Sequence, residues 1–250
     1  LALLLFLTPL ILLPRCGCMD IVRGEAACPH SWPYMAALQH KDLTVFCGGA
    51  LLERQWVLTA AHCDFNESED RVVLGAHQPS IAEKEQQIFK VIRSFSNPWY
   101  NKSSKENDIM LLKLQGAAEL NQYVQLLPLP DSLEDIKPGT PCKVAGWGIT
   151  SSGKHPKYLQ KTTLKIVSRE KCNRKYATEI TNNMLCAAGK SRFRPSDTCN
   201  GDSGGPLICG DQYNGIVAFG RGCGKRGIPG VYTRLTKSYI NWIKKIISLH

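Results

Sequence analysis

From Ile21 onward, short apolar runs alternate with turn-forming Gly, Pro, Asn and Asp, a pattern that predicts many brief β-strands. Runs of this kind include Arg71-Val72-Val73-Leu74, Ile88-Phe89-Lys90-Val91-Ile92, Lys143-Val144-Ala145-Gly146-Trp147 and Gly215-Ile216-Val217-Ala218-Phe219. Strands this short, broken this often, point to an all-β barrel or sandwich. A helical period of useful length appears only at the end. There Tyr239, Ile243, Ile246 and Ile247 fall on one face with Trp242 beside them, Lys244 and Lys245 face outward, and Thr236 is placed to cap. The irregular, Pro-rich stretch from Leu126-Leu127-Pro128 to Lys137-Pro138-Gly139 reads as the connection between two halves.

One segment departs from this pattern. Leu1 to Leu13 is almost wholly apolar, too short to span a bilayer, and is followed by Pro14-Arg15-Cys16-Gly17-Cys18. Those flanks suit a secretory signal (residues 1–18) cut after Cys18; without an initiator Met, it reads as truncated at its start. Eleven cysteines fit the same route, because a chain so rich in them in an oxidising compartment builds a disulfide framework. No Cys-x-x-Cys pair is followed by a second at finger-like spacing, which argues against zinc. Two Asn-x-Ser sequons, at Asn66 and Asn101, fit a glycosylated product.

The formal charge is +10, from 31 Lys and Arg against 21 Asp and Glu. A basic secreted protein is drawn to polyanions such as sulfated proteoglycan. No nucleic-acid motif accompanies the charge, so no specific nucleic-acid partner is expected. Lys190-Ser191-Arg192-Phe193-Arg194 and Arg221 with Lys225-Arg226 are the candidate basic clusters, with solvated surface as the plainer account.

Candidate chemistry sits in three strings. In Gly201-Asp202-Ser203-Gly204-Gly205-Pro206 a serine flanked by glycines can occupy a tight turn, its oxygen exposed and neighbouring N–H groups open to a developing oxyanion. A serine hydroxyl is a poor nucleophile at neutral pH and needs a base, most often His. Leu58-Thr59-Ala60-Ala61-His62-Cys63 supplies one, among small residues and beside a half-cystine. Asn107-Asp108-Ile109-Met110-Leu111-Leu112 places an Asp before an apolar strand, by itself an ordinary turn residue.

Taken together, the order His62, Asp108, Ser203 with all three strings intact resembles the chymotrypsin-like (trypsin-like) serine proteases over essentially all of 21–250. The resemblance implies two antiparallel six-stranded β-barrels (21–127 and 141–235, joined by 128–140) and a C-terminal α-helix (236–250). It makes Ser203 the nucleophile, His62 the general base and then acid, Asp108 its orienter, and the N–H groups of Gly201 and Ser203 the oxyanion hole. The floor of the pocket for the residue before the cut falls at Asp197, beside Thr198, with walls at Gly220 and Gly230. A carboxylate there selects Arg or Lys. The implied disulfides are Cys47–Cys63, Cys142–Cys209, Cys172–Cys186 and Cys199–Cys223, with Cys28 left over. Neither cofactor nor metal is expected.

Ile21-Val22-Arg23-Gly24 resembles the family's mature N-terminus, whose freed amine pairs with the Asp before the nucleophile, here Asp202. Before it stands Met19-Asp20, an acidic activation dipeptide (residues 19–20) that is similar to those of the granzymes and chymases, trimmed by a dipeptidyl peptidase before granule storage. With Asp197, and with the strings Pro29-His30-Ser31-Trp32-Pro33-Tyr34-Met35 and Val73-Leu74-Gly75-Ala76-His77, the likeness is to the granzyme A and granzyme K group. That group implies a secreted protease of cytolytic granules, with Arg/Lys-containing protein substrates and protein protease inhibitors as partners. An extracellular trypsin or tryptase, or an inactive glycan-binding homologue, are the alternatives. Ala218 departs from the family, standing where most relatives place a Ser that bonds the catalytic Asp.

Overall fold

A computed structural model describes residues 20–21, 24–150, 153–189, 201–221 and 227–250. Two antiparallel sheets dominate it. The first holds β3 (Met35–Gln39), β4 (Val45–Glu53), β5 (Trp56–Thr59), β6 (Arg71–Leu74), β7 (Gln87–Phe89), β8 (Val91–Ser96) and β9 (Met110–Leu114), in the order β7-β6-β3-β4-β5-β9-β8. Because β7 and β8 are one run interrupted at Lys90, that run borders both ends of the order and curls the sheet into a barrel.

The second sheet holds β10 (Pro141–Gly146), β11 (Gln160–Val167), β12 (Met184–Gly189), β13 (Pro206–Cys209), β14 (Gln212–Phe219) and β15 (Gly230–Arg234), and a β11–β12 pairing closes it. The chain's first strands, β1 (Asp20–Ile21) and β2 (Gly24–Ala26), attach to this second barrel through β11, not to the first.

Burial along the strands explains the packing. On β11, Leu164 and Ile166 point inward while Thr163 and Lys165 face water, the period of two of a wall solvated on one side. β3 is buried at every position because both its faces are covered. Ala36 and Leu38 enter the first barrel's core, whereas Met35 and Ala37 join Ala145, Trp147 and Leu159 of the second barrel. β6 divides likewise, with Val72 and Leu74 inward and Val73 at the junction. An apolar seam therefore binds the barrels.

A short helix, α1 (Arg169–Asn173), is capped by the Ser168 hydroxyl, which accepts from the Lys171 N–H. The C-terminal helix α2 (Lys237–Leu249) buries Tyr239, Ile240 and Ile243, and Tyr239 and Ile243 pack into the first barrel's core. Thr236 occupies the N-cap position, yet its hydroxyl pairs with that of Ser238 instead of an orphan helix N–H. The side-chain cap expected there is not made, since a local hydroxyl partner competes for it. The expected run Ile88–Ile92 is likewise corrected: it breaks at Lys90, and Ile88 and Ile92 lie 53% and 56% exposed. Among the described residues no helix is long and apolar enough to cross a membrane.

Candidate active site

His62 rides on a single 3-10 turn, Ala61–Cys63, that follows β5 and ends at Asp64 in a left-handed conformation (φ 47°). Buried Ala60 and Ala61 precede it, and the Cys47–Cys63 disulfide ties the turn to β4. Small residues and a cross-link leave the imidazole backbone little freedom. Thr59, whose role the sequence did not signal, donates its hydroxyl to Gly48 O (2.7 Å) and fastens the end of β5 to the same strand.

Asp108 is fully buried, at the head of β9. Its carboxylate accepts from the His62 backbone N–H (2.8 Å) through Oδ1 and holds His62 Nδ1 at 2.6 Å through Oδ2. A carboxylate can only accept, so Nδ1 carries the proton; in the neutral ring Nε2 is left as the acceptor. The imidazole is 19% exposed, so its other edge reaches solvent. Tyr100 lies in the field of this carboxylate: burial, then the charges of Asp108 and Asp64, push its phenol up to about 12.

Ser203 lies on a turn that only glycine neighbours permit. Gly201 (φ 98°) and Gly204 (φ 80°) adopt backbone that L side chains avoid, and a Cβ on Gly204 would overlap Thr59 Oγ1 and Gly48 O. Within the turn Gly205 N–H donates to Asp202 O (3.0 Å); Gly204 N–H donates to Val217 O (2.8 Å). Gly48 N–H donates to Ser203 O (2.7 Å), and Cys63 Sγ lies 3.8 Å from that oxygen. The fold thus brings together three residues far apart in sequence: Ser203 from the second barrel, beside the cystine that adjoins His62, and Asp108 behind His62.

Asp202 packs against Gly146 and Gly148, and its Oδ1 accepts from Gly148 N–H (2.8 Å). Ile21 pairs antiparallel with Gly24, and its nitrogen is here an amide to Asp20. Gly220 is exposed, with no described residue where a Cβ would lie, and Gly230 is buried at the start of β15 opposite Ala187. Asp197, Thr198, Cys199 and Cys223 lie outside the described residues, as do Lys190–Arg194 and Lys225-Arg226. The other expected disulfides, Cys47–Cys63, Cys142–Cys209 and Cys172–Cys186, are formed. Ala218 is buried and brings no hydroxyl toward the triad.

Cys47, His62 and Cys63 offer ligand atoms within 4.8 Å of one another. The two sulfurs are bonded to each other, so only the imidazole could bind an ion there. Asn66 and Asn101 are exposed, and each side-chain oxygen accepts from the sequon serine's N–H (Ser68, 3.1 Å; Ser103, 2.9 Å).

The family model described as Trypsin matches residues 21–243. Granzyme A of Bos taurus is 39% identical over 238 residues, spanning 93% of this chain and 90% of that protein. Trypsin I-P1 of Gallus gallus is 40% identical over 230 residues, spanning 91% of this chain and 89% of that protein.

Proposed function

Because this chain belongs to the trypsin family and is a trypsin-like serine endopeptidase, we propose that it cuts after Arg or Lys using Ser203, His62 and Asp108. The observation that carries the reading is the buried Asp108 carboxylate engaging His62 through both its backbone N–H and Nδ1. Ser203 Oγ attacks the scissile carbonyl carbon while its proton passes to His62 Nε2. The resulting oxyanion is received by the N–H groups of Gly201 and Ser203. Collapse breaks the C–N bond, and His62 returns the proton to the leaving amine. Water, deprotonated by His62, then hydrolyses the acyl-enzyme.

Specificity in this reading comes from Asp197, six positions before Ser203, with glycine rather than a bulky residue at 220 admitting a long side chain. A neutral substrate group would leave that carboxylate desolvated and unpaired. The protease is made as a zymogen: only a cut after Asp20 turns the Ile21 amide into an amine able to meet Asp202. Secretion is supported by the apolar Leu1–Leu13 run and by the three disulfides, which suit an oxidising compartment. The Met19-Asp20 dipeptide supports trimming by a dipeptidyl peptidase and storage in cytolytic granules. The +10 charge supports retention on sulfated proteoglycan.

The test is to release residues 1–20 enzymatically and assay a peptide panel varying only the residue before the cut. Arg and Lys peptides should exceed Phe and Asp peptides by about 10²-fold or more in kcat/KM, and the uncut chain should be far weaker. Preference for Phe or Asp would overturn the specificity; equal activity of cut and uncut chains would overturn the zymogen.

A further inference from the structure

Ser203 belongs to the second barrel, while His62 and Asp108 hang from the first, so catalysis needs some device that registers one half against the other. Asp108 sits at the centre of a three-residue turn, closed by Ile109 N–H on Asn107 O (2.9 Å), just after Asn107 in left-handed backbone (φ 58°). A turn so short does not by itself aim its side chain. With Ala218 in place of a hydroxyl donor, the carboxylate's own described hydrogen bonds run only to His62.

What the turn does have is a row of four bonds from the later part of the chain, reaching three consecutive residues. The Glu106 carboxylate accepts from Thr181 Oγ1 (2.8 Å) and Asn183 Nδ2 (2.9 Å). Asn107 Oδ1 accepts from Tyr239 Oη (2.9 Å), and Asp108 O accepts from Thr233 Oγ1 (3.0 Å). The donors come from the loop before β12, from α2 and from β15. They are braced in turn: Arg169 Nε donates to Thr181 O (3.0 Å), and Arg234 N–H to Asn183 O (2.8 Å). Thr233 and Tyr239 are each 3% exposed, so water cannot readily replace them. Burial, then the Glu106 charge, pushes the Tyr239 phenol well above its ordinary range, which keeps it a donor.

We propose that Thr233 and Tyr239 are positioning residues, which tie the Asn107-Asp108 turn to β15 of the barrel that carries Ser203 and to the helix that follows it, and so aim Asp108 at His62. This rests on the triad reading given above. The clamp acts through main chain and the Asn107 side chain, leaving the carboxylate to the backbone N–H and imidazole of His62.

The experiment uses the full chain with residues 1–20 released and an Arg peptide as substrate, comparing Tyr239→Phe, Thr233→Val and Thr233→Ser. Each of the first two removes one hydroxyl with little change of shape, and each should lower kcat about 5- to 10-fold with KM within twofold. A loosened Asp108 stabilises the positive charge of the transition state less, and the acid limb of kcat/KM should move to lower pH. Thr233→Ser, which restores the donor, should restore both kcat and the limb.

Folded Tyr239→Phe enzyme with unchanged kcat and an unmoved limb would overturn the proposal, even if Thr233→Val proved unable to fold. So would a loss appearing wholly in KM, or Thr233→Ser behaving as Thr233→Val. Ser203→Ala, run in parallel, separates the two layers: if it retained activity, the triad reading beneath the clamp would fall first.

Discussion

Replacing Asp108 with Asn changes one atom pair in the most enclosed part of the site, and its consequence follows from hydrogen-bond chemistry. The native carboxylate takes two N–H groups of His62, the backbone amide at 2.8 Å and Nδ1 at 2.6 Å, with no exposure to water. An Asn amide offers one acceptor and one donor in the same space. If its oxygen keeps the backbone N–H, its NH₂ faces Nδ1–H, donor against donor. Burial makes an unmet polar group there cost about 1–3 kcal/mol, so the imidazole instead switches tautomer, placing its proton on Nε2. That relieves the clash and preserves the fold, but Nε2 can no longer accept the Ser203 proton. General-base assistance contributes roughly 10²–10⁴-fold, and a loss of that size is expected in kcat/KM. Melting should move by only a few degrees, at roughly 2–4 °C per kcal/mol for a chain of this length. The assay pairs peptide hydrolysis with ¹⁵N imidazole shifts, which should show Nδ1–H in the parent and Nε2–H in Asp108→Asn. A variant within tenfold of the parent, or one that is inactive while retaining Nδ1–H, would refute the reasoning.

Other perturbations address the frame around the site. Gly204→Ala forces a Cβ into Thr59 Oγ1 and Gly48 O at a φ of 80°, so about 1–3 kcal/mol of stability and most activity should go together, read by thermal melting and turnover. Removing the Cys47–Cys63 link with a double Ser substitution frees a loop of sequence separation 16, worth about 3 kcal/mol by chain entropy, and should lower the denaturant midpoint accordingly. Burial raises the phenols of Tyr100 (to about 12), Tyr213 and Tyr239 above an ordinary value of 10. The folded state therefore holds these protons more tightly than the unfolded chain does. The stability they contribute is complete below pH 10 and declines as pH rises past it. A phenolate absorbance titration should show these groups ionising late, with Tyr213 appearing only on unfolding; full phenolate by pH 10.5 in folded protein would contradict their burial.

Local chemistry was readable from short strings. Gly201 and Gly204 surround a serine whose turn demands glycine, as the positive φ values and the crowding at Gly204 bear out. The Arg71–Leu74 run coincides with β6, and Gly215–Phe219 lies within β14. Elsewhere local pattern misled: Thr236 looked like a capping residue and pairs with Ser238, while Ile88–Ile92 looked like one run and breaks at Lys90. The helix stripe omitted Ile240, which the structure buries.

What the sequence determined by itself was the set of reactive groups, the glycines that let one of them stand on a tight turn, and the strand-rich class of the chain. Each depends on neighbours within a few positions, where steric and hydrogen-bond preferences act directly. Only the tertiary structure decided which buried face of β3 looks into the barrel and which into the seam between barrels. Only it placed Thr233 and Tyr239 behind Asp108, across separations of 125 and 132 residues from the groups they bond. Periodicity records that a side chain is buried. The partner it meets there is set by strand register and barrel docking, which many distant contacts fix jointly and no short window of sequence contains.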